Sequence, residues 1–279
     1  MNWRIHHKAE TASTNIDARG GSHGDVFTAD YQTAGRGRLD HKWLSPPKAN
    51  LMMSVVLSVE GLAPEQVATL PLVIGLSVCK AIHSLLSLRH LCAPFAANNK
   101  VLATKGAQGG HREISLKWPN DVLIDGKKIA GILCERNGDN VIAGIGVNVG
   151  QTEFDKEIAE RATSLAITVP AAPRRVALVN GMTFTTPRGE GAAGTVIEVR
   201  DAVLRELGDC YSLWRSAGFA AVYPEITAVD YLKGREIAVR QTDDDSVPIV
   251  GIANGIMPDG SLDVGGVRVY AGEAHVEKI

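Results

Sequence analysis

The chain has 279 residues, of which 45% are apolar and 22% are charged, a composition typical of a globular protein with one large domain or two unequal ones. A chain of this length buries most of the surface of its unfolded state, so it needs no disulfide or metal staples. Its formal net charge of −2 excludes the general basic surface with which many proteins bind nucleic acid.

The first predicted elements are a short helix, two strands and a long helix. Small hydroxyl and amide residues at 11–15 are typical of a helix N-cap, and they precede a helical stretch at 16–19. Apolar and β-branched runs predict strands at 26–31 and 51–59. Apolar residues recur at helical spacing over 64–85, which predicts one helix with a single apolar face.

The middle of the chain is expected to form an antiparallel meander. Residues 93–111 are rich in Ala, Asn and Gly, and we expect an irregular connection there. Strands are then predicted at 114–118, 122–124, 128–134 and 141–149. Asp125-Gly126 between two of these apolar runs is a strong signal for a tight hairpin.

The remaining residues predict a helix followed by a small β-rich unit. The Pro/Gly/Arg-rich segment 170–194 gives no clear element, and helical spacing resumes over 196–214. Short strands are then predicted at 237–240, 247–252, 262–264 and 267–270. We therefore expect an α+β domain over 1–230, with a mixed, largely antiparallel sheet, and a small β-barrel over 231–279.

The ends of the chain and its cysteines indicate the compartment. Residues 1–10 lack the apolar segment of a secretory signal peptide, and the longest apolar run, near residues 70–78, is too short to span a bilayer. The cysteines, which lack C-x-x-C and zinc-site spacing, are Cys79, Cys92, Cys134 and Cys210. We expect reduced thiols in a cytoplasmic protein that spans no membrane.

A Gly/Arg loop at residues 32–38 contains the first pattern with chemical meaning, Gly35-Arg36-Gly37-Arg38. Alternating glycines let the backbone approach a ligand, and two guanidinium groups offer planar forks for carboxylate or phosphate. Taken alone, the pattern is explained equally well by a flexible surface loop. An RGG-like nucleic-acid segment is a third interpretation, opposed by the single copy and the absence of interleaved aromatic residues.

Two further patches combine polar residues with strand ends. Asn120 and Asp121, in Lys117-Trp-Pro-Asn-Asp121, offer oxygens that suit Mg²⁺ and its phosphate ligands, although an ordinary Asn-Asp turn is the alternative. Lys127 and Lys128 begin a strand, so one of them faces solvent while the other is free to face a pocket. A pair of solvated hairpin lysines is the alternative interpretation.

The segment 144–148 superficially resembles a dinucleotide-binding fingerprint. Its third glycine is misplaced and no helix follows, so we interpret it as a buried strand with close backbone packing. The chain also lacks G-x-S-x-G, Walker A and H-E-x-x-H patterns, which excludes the common hydrolase, P-loop and zincin classes.

Taken together, in this order and spacing, these patches resemble biotin protein ligases. The matching segments are 13–15, 31–38, 42–46, 117–121, 128–132 and 146–148. The resemblance is dense over residues 10–150 and looser beyond them, and the residues from Tyr231 are similar to the family's small SH3-like C-terminal domain. It implies a biotin/lipoate ligase-like catalytic domain that activates biotin with ATP and transfers it to a lysine of a biotin carboxyl carrier protein.

The resemblance also implies roles for individual residues. The implied biotin pocket consists of Ser13, Thr14, Asn15, Gln32, Gly35, Arg36, Gly37, Arg38, Trp43, Lys128 and Gly131. The residues implied to contact ATP and Mg²⁺ are Lys117, Asn120, Asp121 and Asn148, with Asp121 as the metal ligand. Lys128 and Arg38 are the implied catalytic residues, because their charges would offset the repulsion between biotin's carboxylate and the α-phosphate. Small hydroxyls and amides suit a ureido ring, which has one acceptor and two donors.

The sequence departs from the family pattern at several points. Asp40 stands where the family usually has a glycine, and residues 170–194 match poorly. Only twelve residues precede Ser13, which predicts a single-function form without an N-terminal DNA-binding domain. A lipoate ligase or acyl transferase of the same fold, a non-catalytic biotin sensor and a DNA-binding regulator are the alternatives. A homodimer through an exposed strand edge is also possible from the sequence.

Overall fold

The computed structural model describes residues 1–39, 41–91, 112–168, 176–179, 182–185, 195–240 and 247–276. The predicted connection at 93–111 and the unusual Asp40 lie outside the described residues. Within 170–194, only two short paired strands are described, β8 (Val176–Val179) and β9 (Met182–Thr185).

A seven-stranded sheet forms the larger part of the protein. Its strands are β1 (Arg4–Thr11), β2 (Asp25–Gln32), β3 (Leu51–Ser58), β4 (Ile114–Lys117), β5 (Asp121–Ile124), β6 (Lys127–Asn137) and β7 (Asn140–Val147). Their order is β1-β2-β3-β7-β6-β5-β4, and β1 and β2 are parallel while the other neighbours are antiparallel. The predicted mixed, largely antiparallel sheet is confirmed, and Asp125 and Gly126 form the hairpin turn with φ of 50° and 78°.

Two long helices provide most of the packing against this sheet. The helices are α1 (Thr14–Asp17), α2 (Pro64–Ala68), α3 (Leu70–Leu91), α4 (Leu165–Thr168), α5 (Val196–Ala217) and α6 (Tyr223–Ala228). The single helix predicted over 64–85 is wrong in one respect, because Thr69 separates α2 from α3. The Thr69 hydroxyl donates to the Gln66 carbonyl at 2.7 Å and accepts from Trp214 Nε1 at 2.9 Å, so this junction is held against α5.

The helical segment Pro64–Ser87 is also the one described segment that is long and apolar enough to cross a membrane, with a mean hydropathy of 1.6. However, 72% of its most apolar window is buried inside the protein. Its fully buried residues include Leu70, Ile74 and Ile82, which belong to the same hydrophobic core as the sheet. This segment therefore packs as the core helix of the α+β fold.

A second, five-stranded antiparallel sheet follows residue 231. Its strands are β10 (Glu236–Arg240), β11 (Ile249–Ile256), β12 (Leu262–Val264), β13 (Val267–Val269) and β14 (Glu273–Val276), in the order β13-β12-β11-β10-β14. This arrangement is consistent with the predicted SH3-like unit. The boundary at residue 231 stays a prediction, since Leu232 and Ile237 belong to the same hydrophobic core as the larger sheet.

The small sheet is attached beside the segment 117–121. Leu116 on β4 donates to the Val229 carbonyl at 2.7 Å and accepts from the Tyr231 amide at 2.9 Å. Trp118 Nε1 donates to the carbonyl of Gly260, which lies between β11 and β12, at 3.0 Å. The strand end that carries Asn120 and Asp121 is thus held from both sheets.

Candidate functional site

A cavity of about 120 Å³ lies against β6 and β7, next to the Gly/Arg loop. Most of the pocket residues implied by the sequence line it, namely Ser13, Thr14, Asn15, Gln32, Arg36, Gly37, Arg38, Trp43, Asn120, Asp121, Lys128 and Gly131. A wider groove of about 1370 Å³ shares part of this lining and extends past Phe154, Ile158 and Tyr270. Side chains far apart in sequence therefore converge on one enclosed space with an open approach.

One end of the cavity is a network of hydroxyl and amide groups. Thr14 donates through its backbone N–H and its hydroxyl to Gln32 Oε1, at 2.8 and 3.0 Å. The hydroxyl of Ser54, fully buried on β3, lies 2.7 Å from Thr14 Oγ1 and 2.6 Å from Asn15 Oδ1. Sequence reasoning missed Ser54. This end is suited to a ligand ring that carries both hydrogen-bond donors and acceptors.

Glu135, on β6, is a second residue that sequence reasoning missed. Its carboxylate accepts from Asn15 Nδ2 at 2.6 Å and from Arg36 Nη1 at 3.2 Å. Alternate residues of a strand face the same side, and Gly131, Leu133 and Glu135 are alternate residues of β6. Because Gly131 and Leu133 line the cavity, this alternation is the signal that could have identified Glu135.

The opposite end of the cavity is called its positive end because Lys128 and Arg38 line it, and the carboxylate of Asp121 lies beside them. Lys128 Nζ lies 2.7 Å from Asp121 Oδ1, an ion pair between β6 and β5, while the neighbouring Lys127 is exposed. A β-bulge explains which lysine faces the cavity, because the pairing shifts between Val122 and Leu123 on β5. The extra residue in β6 brings the Lys128 side chain over Gly131, where an added Cβ would lie 3.2 Å from Lys128 Cε.

Arg38 connects the Gly/Arg loop to both sheets. Its Nη1 donates to Asn120 Oδ1 and to the Gly272 carbonyl, each at 3.3 Å. Asn120 in turn donates to the Ile132 carbonyl at 2.8 Å, so its amide is oriented by β6. Glu273 of the small sheet also lines the cavity. Residues beyond 231 thus form part of this site, although none of the residues implied by the sequence lies there.

Trp43 forms one wall of the cavity against the strand backbones. Its indole lies so close to Gly146 on β7 that an added Cβ there would approach the ring to 2.5 Å. The indole Nε1 is buried and has no hydrogen-bond partner among the described residues. A flat apolar ring over a bare strand is a suitable wall for an alkyl chain.

Three of the implied residues are not brought to the cavity itself. Gly35 lines only the wider groove. Lys117 on β4 is the register partner of Asp121 on β5, and it lines neither the cavity nor the groove. Burial lowers the pKa of its ammonium group, and the negative charge of Asp121 opposes that shift. The Asn148 amide donates to the Thr163 carbonyl at 3.0 Å and is buried behind β7. Asn148 therefore forms a structural hydrogen bond within the protein. The ATP contacts assigned to Lys117 and Asn148 stay predictions.

The donor set for a metal ion is sparse. Within the described ranges, no three His, Cys, Asp or Glu side chains cluster closely enough to hold a metal. Asp121 supplies one carboxylate at the positive end of the cavity, beside the amide of Asn120. This suits Mg²⁺, which proteins commonly hold through one or two carboxylates while phosphate oxygens and water complete its shell.

The described cysteines are free thiols. Cys79 and Cys210 are buried, and Cys134 on β6 is partly buried. Burial raises the pKa of the Cys79 and Cys134 thiols to about 12. These groups are neutral thiols in the folded protein and are poor nucleophiles.

Comparison with known proteins gives a consistent result. Residues 5–151 match the sequence profile of the Biotin/lipoate A/B protein ligase family. The biotin–[acetyl-CoA-carboxylase] ligase of Mycobacterium tuberculosis is 33% identical, over 95% of this chain and 86% of its own length. The bifunctional ligase/repressor BirA of Escherichia coli is 29% identical, over 50% of this chain and only 37% of its own length.

Solved structures resemble the whole chain. The biotin protein ligase of Aquifex aeolicus in complex with biotin and ATP superposes with a TM-score of 0.70 at 27% identity, covering 99% of both chains. The biotin protein ligase of Leishmania major in complex with biotinyl-5-AMP has a TM-score of 0.59 at 24% identity, which supports the fold alone. The predicted fold, a ligase-like catalytic unit followed by a small β-sheet unit, is confirmed by these matches.

Proposed function

The chain belongs to the biotin/lipoate A/B protein ligase family, and we propose that it is a biotin protein ligase that forms biotinyl-5′-AMP and transfers biotin to one lysine of a biotin carboxyl carrier protein. The supporting observation is a single cavity with a hydrogen-bonding end at Thr14 and Gln32 and, at the other end, the cations Lys128 and Arg38. Such a cavity matches a substrate that has a polar ring at one end and a carboxylate at the other.

The hydrogen-bonding end favours biotin over lipoate. A ureido ring presents a carbonyl acceptor and two N–H donors, whereas a dithiolane ring presents neither. With lipoate bound, Ser54, Thr14 and Asn15 would keep the hydrogen bonds that they form within the protein and would gain none from the ligand, so this end favours the ureido ring. The likeness to named biotin ligases supports the same choice.

In the first step, an oxygen of biotin's carboxylate attacks the α-phosphorus of ATP, and pyrophosphate leaves. Both reactants are anionic, so they repel each other in water. Lys128 and Arg38 offset this repulsion at the positive end of the cavity and align the carboxylate for the attack. The Asp121 carboxylate, 2.7 Å from Lys128 Nζ, holds that ammonium group at the cavity wall.

In the second step, the carrier's lysine amine attacks the carbonyl carbon of the mixed anhydride. An amide bond forms, the amine loses a proton, and AMP leaves. No side chain of the ligase acts as a nucleophile, in agreement with the neutral thiols of Cys79 and Cys134. The Gly/Arg loop lies over the cavity where it excludes water from the anhydride until the carrier arrives.

We further propose that Mg²⁺ accompanies ATP and that Asp121 is its protein ligand, with Asn120 beside it. When bound, the ion supplies neutralisation of phosphate charge. The net charge of −2 and the free thiols support a cytoplasmic enzyme that binds no nucleic acid through this chain. A homodimer stays a prediction, and sedimentation at several protein concentrations would test it.

The deciding experiment is pyrophosphate release from ATP in the presence of biotin or of lipoate, before any carrier is added. Pyrophosphate release with biotin but not with lipoate supports the proposed function. Mass spectrometry of a carrier domain, after incubation with the enzyme, biotin and ATP, then tests the transfer step. Release with lipoate alone would replace it with a lipoate ligase. Measurable biotin binding without pyrophosphate release would identify a non-catalytic biotin sensor.

A further inference from the structure

Glu135 joins two parts of the site that are far apart in sequence. One carboxylate oxygen accepts from Asn15 Nδ2 at 2.6 Å, and the other accepts from Arg36 Nη1 at 3.2 Å. The contacts span 120 and 99 residues, respectively. Glu135 thus connects the hydrogen-bonding end of the cavity with the Gly/Arg loop that covers it.

A carboxylate at this position needs a physical reason. Glu135 lines the wider groove beside the cavity. The substrates of the proposed reaction are anions, so a negative charge there opposes their approach unless a cation offsets it. Arg36 is that cation. Glu135 also contacts the hydrogen-bonding end, and it lies seven residues along β6 from Lys128, to which the proposed function assigns the reacting carboxylate and phosphate.

The contact with Glu135 determines the orientation of the Asn15 side-chain amide. Asn15 Oδ1 accepts from the Ser54 hydroxyl at 2.6 Å, and Asn15 Nδ2 donates to Glu135. With both ends of the amide engaged, a rotation that exchanges oxygen and nitrogen would break one buried and one partly buried hydrogen bond. The carboxylate therefore keeps the ligand-facing side of Asn15 in one orientation.

The contact with Arg36 is of a different kind. The two side chains meet at a single 3.2 Å contact, with 47% of the Arg36 side chain and 26% of the Glu135 side chain exposed. An exposed ion pair with one contact is weak and opens readily.

We propose that Glu135 is a positioning residue that couples closure of the Gly/Arg loop to the order of the biotin pocket. It keeps Arg36 over the cavity before ligand arrives, and at the same time it orients Asn15 for the ligand ring. This inference rests on the proposed function, because it assigns the pocket to biotin. Glu135 itself forms no contact with the reacting atoms.

The test compares Glu135→Ala, Glu135→Gln and the wild type. Alanine removes both contacts, whereas glutamine keeps an acceptor for Asn15 and loses the charge that attracts Arg36. We expect Glu135→Ala to raise the KM for biotin about tenfold or more while the kcat of pyrophosphate release changes less than about threefold. Glu135→Gln should recover part of the lost biotin affinity.

A second measurement does not depend on catalysis. Trypsin cleaves after the arginines of the Gly/Arg loop, so its rate of cleavage there reports how often the loop opens. Without ligand, both Glu135 variants should be cleaved faster than the wild type. Asn137→Ala is the matched control, since Asn137 lies two residues along β6 from Glu135 and its side-chain amide donates to the exposed carbonyl of Arg19, away from the cavity lining. It should leave the biotin KM and the cleavage rate unchanged.

Three results would overturn the proposal. The first is a Glu135→Ala protein with the biotin KM and loop cleavage of the wild type. The second is a loss confined to kcat. The third is an equal change in Asn137→Ala, which would indicate general disturbance of β6. If the wild type releases no pyrophosphate with biotin, the proposed function fails separately, and the cleavage rates without ligand still decide whether Glu135 holds the loop.

Discussion

Lys128 and Asp121 face each other across β6 and β5, with Lys128 Nζ 2.7 Å from Asp121 Oδ1 at the positive end of the cavity. The carboxylate keeps the ammonium group at the wall, yet the Lys128 side chain stays 39% exposed and so remains accessible to a ligand. The Lys128 ammonium group is therefore held in place by Asp121 and can still bind an anionic ligand, which a fully buried salt bridge could not do.

The Lys128→Ala variant is expected to lose adenylation almost completely. Its ammonium group offsets charge that develops as the carboxylate approaches phosphorus, so we expect the rate of pyrophosphate release to fall roughly a hundredfold to a thousandfold. Lys127→Ala is the matched control, because Lys127 is exposed on the same strand and lines neither the cavity nor the groove. A Lys128→Ala rate within about tenfold of the wild type would rule out this role.

The position of Lys128 could be predicted from the sequence only in part. Apolar runs and the Asp125-Gly126 turn were sufficient to predict the β5–β6 hairpin, and strand alternation indicated that one of two lysines faces a pocket. Which lysine does so depends on the bulge opposite Val122 and Leu123. A bulge arises from the pairing of two strands, and nothing in the local sequence of β6 signals it.

The strand β1 and the role of Glu135 could not be predicted from the sequence. The strand β1 was not predicted because seven of its eight residues are exposed, so no apolar alternation exists there, and it is defined only by its pairing with β2. Glu135 was missed because its partners are Asn15 and Arg36, which lie more than ninety residues away. Such contacts are set by tertiary packing.

A second prediction concerns the wall formed by Trp43. An alanine at Gly146 would place its Cβ 2.5 Å from the indole, so the ring must move away from β7 and into the space for the ligand's alkyl chain. We expect Gly146→Ala to raise the KM for biotin about tenfold or more. Isothermal titration with biotin alone would measure the same change as a weaker affinity.

The control for this change is Gly20→Ala. Gly20 has open space around the position of an added Cβ, so alanine there meets no neighbouring atom. Biotin affinity should be unaffected in that variant. Wild-type affinity in Gly146→Ala would show that Trp43 does not border the bound ligand.

A third prediction uses the pH dependence of stability at Asp25. The Arg4 guanidinium, the His6 ring and the Ser22 amide, at 2.8, 3.0 and 2.7 Å, hold the pKa of this carboxyl well below its usual range. Because the folded state favours the ionised form, these contacts stabilise the protein above the pKa of the unfolded chain. That stabilisation is lost as the pH falls from about 4 towards the lower folded-state pKa.

The Asp25→Asn variant should therefore unfold at a lower urea concentration than the wild type near pH 7, and the gap should shrink steadily below about pH 4. Asp30→Asn, on the same strand, is the comparison, since the Asp30 carboxylate forms longer contacts with His7 and Lys48, at 3.5 and 3.8 Å. We expect a smaller change there. A gap for Asp25→Asn that is constant across the acidic range would mean that ionisation of this carboxyl does not stabilise the fold.

The last prediction separates the charge of Arg38 from its geometry. One nitrogen of the guanidinium contacts both Asn120 Oδ1 and the Gly272 carbonyl at 3.3 Å, so this side chain joins the loop to the segment 117–121 and to the small sheet. Lysine keeps the charge and loses the planar, multiply donating head. We expect Arg38→Lys to slow pyrophosphate release roughly tenfold to a hundredfold, because the cation is no longer held where the α-phosphate and the carboxylate meet. Arg205→Lys should have the wild-type rate, because Arg205 is an exposed residue of α5 that pairs with its neighbour Glu206 and lines neither the cavity nor the groove. Full activity in Arg38→Lys would mean that positive charge alone suffices in this loop and that the contact with Gly272 serves packing and not catalysis.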